Sequence, residues 1–244
     1  MQRQRGEQSP QTTTGSQRFK TVSAVNANES TECRACQGEG YVIRDGKAYR
    51  CRCLLERWIA YKLPARYRGA RLKDFDPKIQ TIVTEWFENP TDGLLITGPV
   101  GTGKTHLAAA ILRHAMITNF CKRYSPSGPS DAHDEVLFCR CSEFFLKIRA
   151  TYDSSSARTE LSVVNETAGV RLLILDDLGA GKVDDFERRA ILEVLDRRLN
   201  NMLPTVVTSN LGRAEIALRI DDRVSSRLLQ FTGIPLNGRD RRNA

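Results

Sequence analysis

No stretch of this 244-residue sequence comes near the roughly 18 consecutive apolar residues of a membrane-spanning helix. The chain therefore reads as soluble, with no membrane partner. Its start also lacks the apolar segment of an export signal: residues 1–31 are rich in Gln, Thr, Ser and Asn and read as a disordered leader. A cytoplasmic protein is the expectation. Histidine is scarce, with three residues, and none of them lies near a cysteine cluster in the sequence. The seven cysteines are an odd number, which argues against a closed disulfide framework.

What the sequence does have is uneven. The formal net charge is +8, and residues 34–74 hold eleven Lys/Arg against four Asp/Glu, a local excess of seven. Four of the cysteines fall in the same region as CRAC (Cys33, Cys36) and CRC (Cys51, Cys53), separated by fourteen residues that include the turn-like stretches GEGY and RDGK. Two such knuckles can offer four thiolates to one zinc ion, and a mini-domain of about 25 residues has no core that would fold it otherwise. A redox pair or idle thiols are the other readings. Zinc bound by four thiolates would lower the local excess by about two and leave it positive, suited to a polyanion or an acidic protein face. Cys121, Cys139 and Cys141 have no partner at ligand spacing and read as core or surface thiols.

Four zones follow from this: the leader (1–31), a cysteine module (32–57), a short basic connector (58–71) and an α/β domain (72–244). In the last zone, residues 77–88 place Ile79, Ile82, Val83, Trp86 and Phe87 at helical spacing. Strands are expected at 93–97, 136–139, 172–175 and 205–208. Helices are expected at about 104–120, 142–152, 160–168 and 184–201, then two short ones near 214–219 and 222–229. Residues 124–134 have loop composition. Strands alternating with helices imply a parallel, doubly wound sheet.

The segment GPVGTGKT (Gly98, Pro99, Val100, Gly101, Thr102, Gly103, Lys104, Thr105) satisfies G-x-x-x-x-G-K-[ST] between an expected strand and an expected helix. Glycines let the backbone curl so that its N–H groups converge on phosphates at a helix N-terminus. Lys104 would neutralise the outer phosphate oxygens of ATP, and the Thr105 hydroxyl would ligate magnesium. A second GxGK at 179–182 is followed by Val183 and reads as a loop.

The run LLILDDL (172–178) carries Asp176 and Asp177 at the carboxyl end of an apolar strand, where ligands of parallel sheets bind. Asp176 would hold magnesium, and Asp177 would orient and deprotonate the attacking water. TVVTSN (205–210) is another apolar strand with a polar end. Inserted between the phosphate-binding and acidic strands, it would bring Asn210 or Thr208 beside that water, an order typical of AAA+ ATPases. Arg219, Arg223 and Arg227 recur at i, i+4, i+8 and so share a helix face. Such a face is either solvated or an arginine finger presented to a neighbouring subunit.

Taken together, CRACQGEGY with CRC, RYRGARLKDFDP, GPVGTGKTHLAAAI, LLILDDLG, RRLNNMLPTVVTSN and RVSSRLL resemble the DnaC-type helicase loaders. Their relatives are the IstB transposition helpers and, more distantly, the DnaA initiators. The resemblance implies an AAA+ P-loop fold with a minimal or absent C-terminal lid, preceded by the zinc module. It makes residues 98–105, with His106 beside them, the nucleotide-binding turn, and Asp176 with Asp177 the acidic motif. Asn210 takes the first sensor position, Arg227 the arginine finger and Arg242 the second sensor. Where the family has an aromatic before that last arginine, this chain has Arg241. In such loaders the segment before the acidic strand contributes to single-stranded DNA binding, which here offers Lys147, Arg149 and Tyr152. Phe144 and Phe145 begin an amphipathic helix and read as core.

The expectation is an ATPase that uses ATP, Mg2+ and Zn2+, self-associates through the arginine finger, binds single-stranded DNA and loads a hexameric replicative helicase, releasing it on hydrolysis. The rival with the same chemistry is a transposition helper acting on target DNA with a transposase. A small-molecule P-loop kinase is the third reading, disfavoured by Asn210 and the arginines.

Overall fold

The computed structural model describes residues 33–90, 92–118, 136–153, 155–181 and 183–238. The leader, the 124–134 loop, and Arg241 and Arg242 lie outside them. Two strands open the described chain, β1 (Tyr41–Arg44) and β2 (Lys47–Arg50), paired as an antiparallel hairpin. Asp45 and Gly46 between them both take positive φ, 50° and 71°, the backbone of a two-residue hairpin turn whose hand matches strand twist. Helix α1 (Arg52–Lys62) follows, then the 3-10 turns Ala65–Tyr67 and Leu72–Asp74. Helix α2 (Pro77–Glu88) starts with Asp76 accepting from the Lys78 N–H and proline in the first turn, where proline lacks only a donor that would be unpaired anyway.

The remaining elements alternate. They are β3 (Gly93–Thr97), α3 (Lys104–Ile117), β4 (Val136–Arg140), α4 (Cys141–Arg149) and α5 (Glu160–Gly169). Then come β5 (Leu172–Leu178), α6 (Asp185–Asn200), β6 (Thr205–Ser209), α7 (Arg213–Arg219), α8 (Asp222–Leu228) and β7 (Thr232–Pro235). The sheet runs β4-β5-β6-β3-β7, every pairing parallel. β6 is inserted between the strand before the glycine-rich turn and the acidic strand, as its place in the motif order suggests.

Both faces of the sheet are covered, which is why its strands read as unbroken apolar runs. Leu94, Ile96, Leu172, Ile174, Val206 and Ile234 pack on one side with α1, α2 and α3. Leu95, Leu173, Leu175 and Val207 point to the other side, among residues of α4 to α8. Phe144 and Phe145 belong to that second cluster, as expected. Arg198, only 1% exposed, bridges the entry to two strands. Its guanidinium donates to the Thr205 hydroxyl and to the carbonyls of Ala168, Val170, Arg171 and Pro204, so the charge is buried with its donors occupied.

The stretch read as a basic connector, 58–71, is built into the same core. Ile59, Leu63 and Ala70 are buried in the α1–α3 cluster. Glu56 of α1 receives two hydrogen bonds from Arg113 of α3, at 2.8 and 3.0 Å, and Arg113 also donates to the Arg68 carbonyl. The arginine face also needs correction. Arg219 ends α7, whereas Arg223 and Arg227 belong to α8, and the chain breaks between them at Ile220 (φ −112°, ψ −77°) before Asp221 caps α8. The three arginines therefore do not share one helix face. Among the described residues, no helix is long and apolar enough to cross a membrane.

If α1 belongs to this core, Ile59→Ala should lower unfolding stability by about 2–5 kcal/mol, the usual cost of truncating a fully buried aliphatic side chain. Denaturant melts monitored at the tryptophans should show this as one shifted transition; an unshifted main transition would mean that α1 is a separate unit.

Candidate active site and metal centre

The glycine-rich turn leaves β3 and enters α3 with Gly98, Gly101 and Gly103 at φ 145°, 84° and 96°, conformations that L side chains rarely adopt. At Gly98 a Cβ would also stand 2.2 Å from the Leu236 carbonyl oxygen, because the chain after β7 bonds back to β3 through Leu236 N–H to Thr97 O at 2.7 Å. Lys104 opens α3, and its ammonium donates to the carbonyls of Gly98 and Pro99 at 2.8 and 2.7 Å. The cation is thus held over the turn, at the positive end of the helix dipole, where an anionic phosphate is favoured twice over. Thr102 braces the turn by donating to the Pro99 carbonyl. His106, one residue past Thr105, lies within 3.4 Å of an Asp74 carboxylate oxygen and packs on the rings of Tyr67 and Phe75. It tethers the segment before α2 to the phosphate-binding helix.

The acidic strand meets α3 and β6 at one carboxylate. Asp176, 2% exposed, accepts from the Thr105 hydroxyl at 3.2 Å and the Thr208 hydroxyl at 2.8 Å. Burial raises its pKa above the ordinary carboxylate value, against the lowering effect of the two hydroxyls. Asp177 comes next, at φ 64°. The reason is a bulge: Leu175 faces Val207 and Leu178 faces Ser209, so Asp176 and Asp177 stand opposite Thr208 alone. The extra residue re-aims Asp177 outward, at a backbone cost on the order of 1 kcal/mol. Its N–H donates to Thr208 Oγ1 at 2.8 Å, and its carboxylate accepts from Asn210 Nδ2 at 3.1 Å. The sequence left Thr208 and Asn210 as alternatives beside an attacking water; the structure brings the Thr208 hydroxyl to the Asp176 carboxylate and the Asn210 amide to the Asp177 carboxylate.

The outlying candidates are placed differently. Arg227 is held in its own chain by Asp196 of α6, with Nε–Oδ1 2.5 Å and Nη2–Oδ2 3.4 Å. Asp196 was not singled out from the sequence, and nothing local would have marked it. Arg149 donates to Asp184 and Glu187 at the start of α6, at 3.0 and 2.6 Å. Tyr152 is exposed, with its ring edge-on to Phe186, and Lys147 is exposed on α4.

The four cysteines of the amino-terminal module converge. Their sulfurs all lie within 4.8 Å of one another, with Cys33–Cys51 at 3.7 Å and Cys36–Cys53 at 3.3 Å. A tetrahedral zinc with about 2.3 Å Zn–S bonds sets its sulfurs about 3.8 Å apart, so the donor set fits one such ion. Cys51 caps α1 and Cys53 lies in its first turn, where the helix dipole favours thiolate; a helix start is what makes C-x-C spacing workable. Burial opposes ionisation of Cys36, yet the Cys53 thiol and the Gly40 N–H bring it down to about 7. Burial and the neighbouring sulfurs push Cys53 up to about 12. Such crowding keeps all four from ionising together unless a cation joins them.

A glycine-rich turn at a helix start, an acidic strand one place removed, and a polar-ended strand between them define a P-loop NTPase of the AAA+ type. The chain belongs to the family of IstB-like ATP binding proteins, which it matches over residues 65–229. It is 27% identical over 144 residues to the replicative helicase loader DnaC of Escherichia coli (strain K12), covering 59% of this chain and 53% of that protein. It is 30% identical over 157 residues to the insertion sequence IS1162 ATP-binding protein of Pseudomonas fluorescens, 60% of this chain and 59% of that one. The chain thus spans a little over half the length of these curated relatives. In fold it is similar to a replication initiator DnaA solved with AMPPCP and single-stranded DNA, with a TM-score of 0.57 and 19% identity over 72% of this chain and 51% of that one.

Asp176 supplies a pH-linked prediction. Its folded pKa is raised, so its contribution to stability is full below the unfolded value of 3.8 and is lost as pH rises through the folded value. At neutral pH the buried charge is a net cost. Asp176→Asn, which still accepts from Thr208, should melt no lower than the wild type without nucleotide, and the difference should shrink on acidification. A nucleotide-free melt clearly below that of the wild type at neutral pH would contradict this account.

Proposed function

We propose that this protein is an ATPase that works as a switch: it binds single-stranded DNA, holds a hexameric replicative helicase for loading, and releases it on hydrolysis. The observation that carries the reading is the convergence of Thr105, Asp176, Thr208, Asp177 and Asn210 beside the Lys104 turn. Lys104 would exchange its own-loop carbonyls for β and γ phosphate oxygens. Asp177, steadied by Asn210, would orient the attacking water and take its proton. Magnesium, held by Thr105 and Asp176, would neutralise charge developing on the phosphates. Arg227 would serve the ATP of a neighbouring copy once freed from Asp196, and Arg242 would contact nucleotide within the same chain. Cys33, Cys36, Cys51 and Cys53 would hold one structural zinc, and the module they fold would grip the helicase. Lys147, Arg149 and Tyr152 are the DNA contacts proposed for the ATPase domain.

Support for the partner comes from the DnaC relative, and support for the DNA from the initiator solved with a single strand. The likeness to an insertion-sequence ATP-binding protein favours one other reading, a helper that marks target DNA for a transposase. Capture from the native host, scored for a hexameric helicase or a transposase, separates the two.

Lys104→Ala should reduce ATP hydrolysis by about 100-fold or more, the scale for removing a positioned charge from a transition state, while leaving the fold intact. Wild-type turnover or nucleotide affinity should change when single-stranded DNA is added. Indifference to DNA would overturn the loader and helper readings together, and normal turnover in the variant would remove this active site.

The metal reading is tested by elemental analysis. Protein expressed with Cys33→Ser should carry far less than one zinc per chain, and chelation of the wild type should unfold the hairpin while α3 and the sheet persist. Full zinc content in the variant would refute the four-thiolate site.

A further inference from the structure

We propose that the β1–β2 hairpin is itself a landing site for single-stranded nucleic acid, through Arg44, Lys47 and Tyr49, at a distance from the phosphate-binding turn. The inference rests on the single-strand reading above and adds a second contact surface to it.

The register pairs Arg44 with Lys47 and Val42 with Tyr49. Directly opposed residues of an antiparallel pair share a face, as do residues two apart, so Val42, Arg44, Lys47 and Tyr49 form one patch. The two-residue turn at Asp45 and Gly46 forces the two cations directly across from each other, an arrangement that destabilises a hairpin when nothing neutralises it. Among the described residues, no carboxylate forms an ion pair with either one. A polyanion laid across the pair would relieve the repulsion.

The tyrosine makes the patch more than a solvated charge. Tyr49 is 48% exposed, two residues from Lys47 and on the same face of β2, and on the opposite face Tyr41 is 48% and Ile43 79% exposed. A two-stranded hairpin gains stability by burying one face, and here neither face is buried against the ATPase domain. An exposed ring next to paired cations is the combination that holds an unpaired base by its π-face and the adjoining phosphates by charge. Thiolate balance does not account for these cations either. Arg34 and Arg52 stand between the cysteines of CRAC and CRC in the sequence, whereas Arg44 and Lys47 flank the turn at the far tip of the hairpin.

The test uses the full chain with its metal and a fluorescein-labelled oligothymidylate titrated at several salt concentrations. The double variant Arg44→Ala/Lys47→Ala should bind more weakly, and its plot of log affinity against log salt should be shallower by about 1.4, since each cation on a single strand contributes about 0.7. Tyr49→Ala should weaken binding about tenfold with the salt slope unchanged. Unaltered zinc content and ATP turnover in both variants would establish that the module and the ATPase are intact. Wild-type binding that neither variant changes would overturn the hairpin site alone, as would variants that keep oligothymidylate affinity but lose an acidic protein partner. A wild type that binds no oligothymidylate would overturn the single-strand reading itself.

Discussion

A single buried carboxylate organises the candidate catalytic centre. Asp176 has one oxygen on the hydroxyl of Thr105 and the other on that of Thr208, so it couples the phosphate-binding helix, the acidic strand and the strand between. Burying it is costly, as its raised pKa records. That cost is tolerable only because two donors are fixed, one by the strand on a single edge of β5 and the other by the helix packed over the sheet. A bulge at the same point of β5 swings Asp177 toward Asn210. Two adjacent aspartates thereby acquire different surroundings, one dry and doubly bonded, the other reaching outward, which is how two like groups can take two roles.

Local sequence signals carried most of the ATPase domain. Apolar runs ending in polar residues located β3, β5 and β6, and the glycine spacing located the turn, because each depends on residues within one strand or one helical turn. Helix α1 was hidden by its charge. Leu55, Ile59 and Leu63 repeat every four residues, but the basic residues around them read as a linker. The arginine series failed for another reason. Spacing of four describes a helix only where the helix continues, and Asp221, followed by Asp222, was the cap signal that should have ended it.

Pairs remote in the sequence left no local trace. Asp196 and Arg227 are 31 residues apart, and Glu56 and Arg113 are 57 apart. Each pair joins helices whose mutual placement is decided by how they cover the sheet. Arg198 is similar: its sequence context is an ordinary amphipathic helix, and its carbonyl partners come from the segment entering β5 and the turn into β6. The cysteine cluster is the exception among long-range features, because thiolates at ligand spacing announce their convergence in advance.

Helix α1 has a mechanical consequence. Its first turn carries two of the four cysteines, and its body is fixed to α3 by Ile59 and by the Glu56–Arg113 fork. Eleven helical residues at about 1.5 Å each make a strut of about 16 Å. One end of it is the sulfur cluster, and the other is bolted to the helix that begins at Lys104. A load applied to the cysteine knuckle is thus delivered to the phosphate-binding helix through a stiff rod, with no slack hinge in which to dissipate.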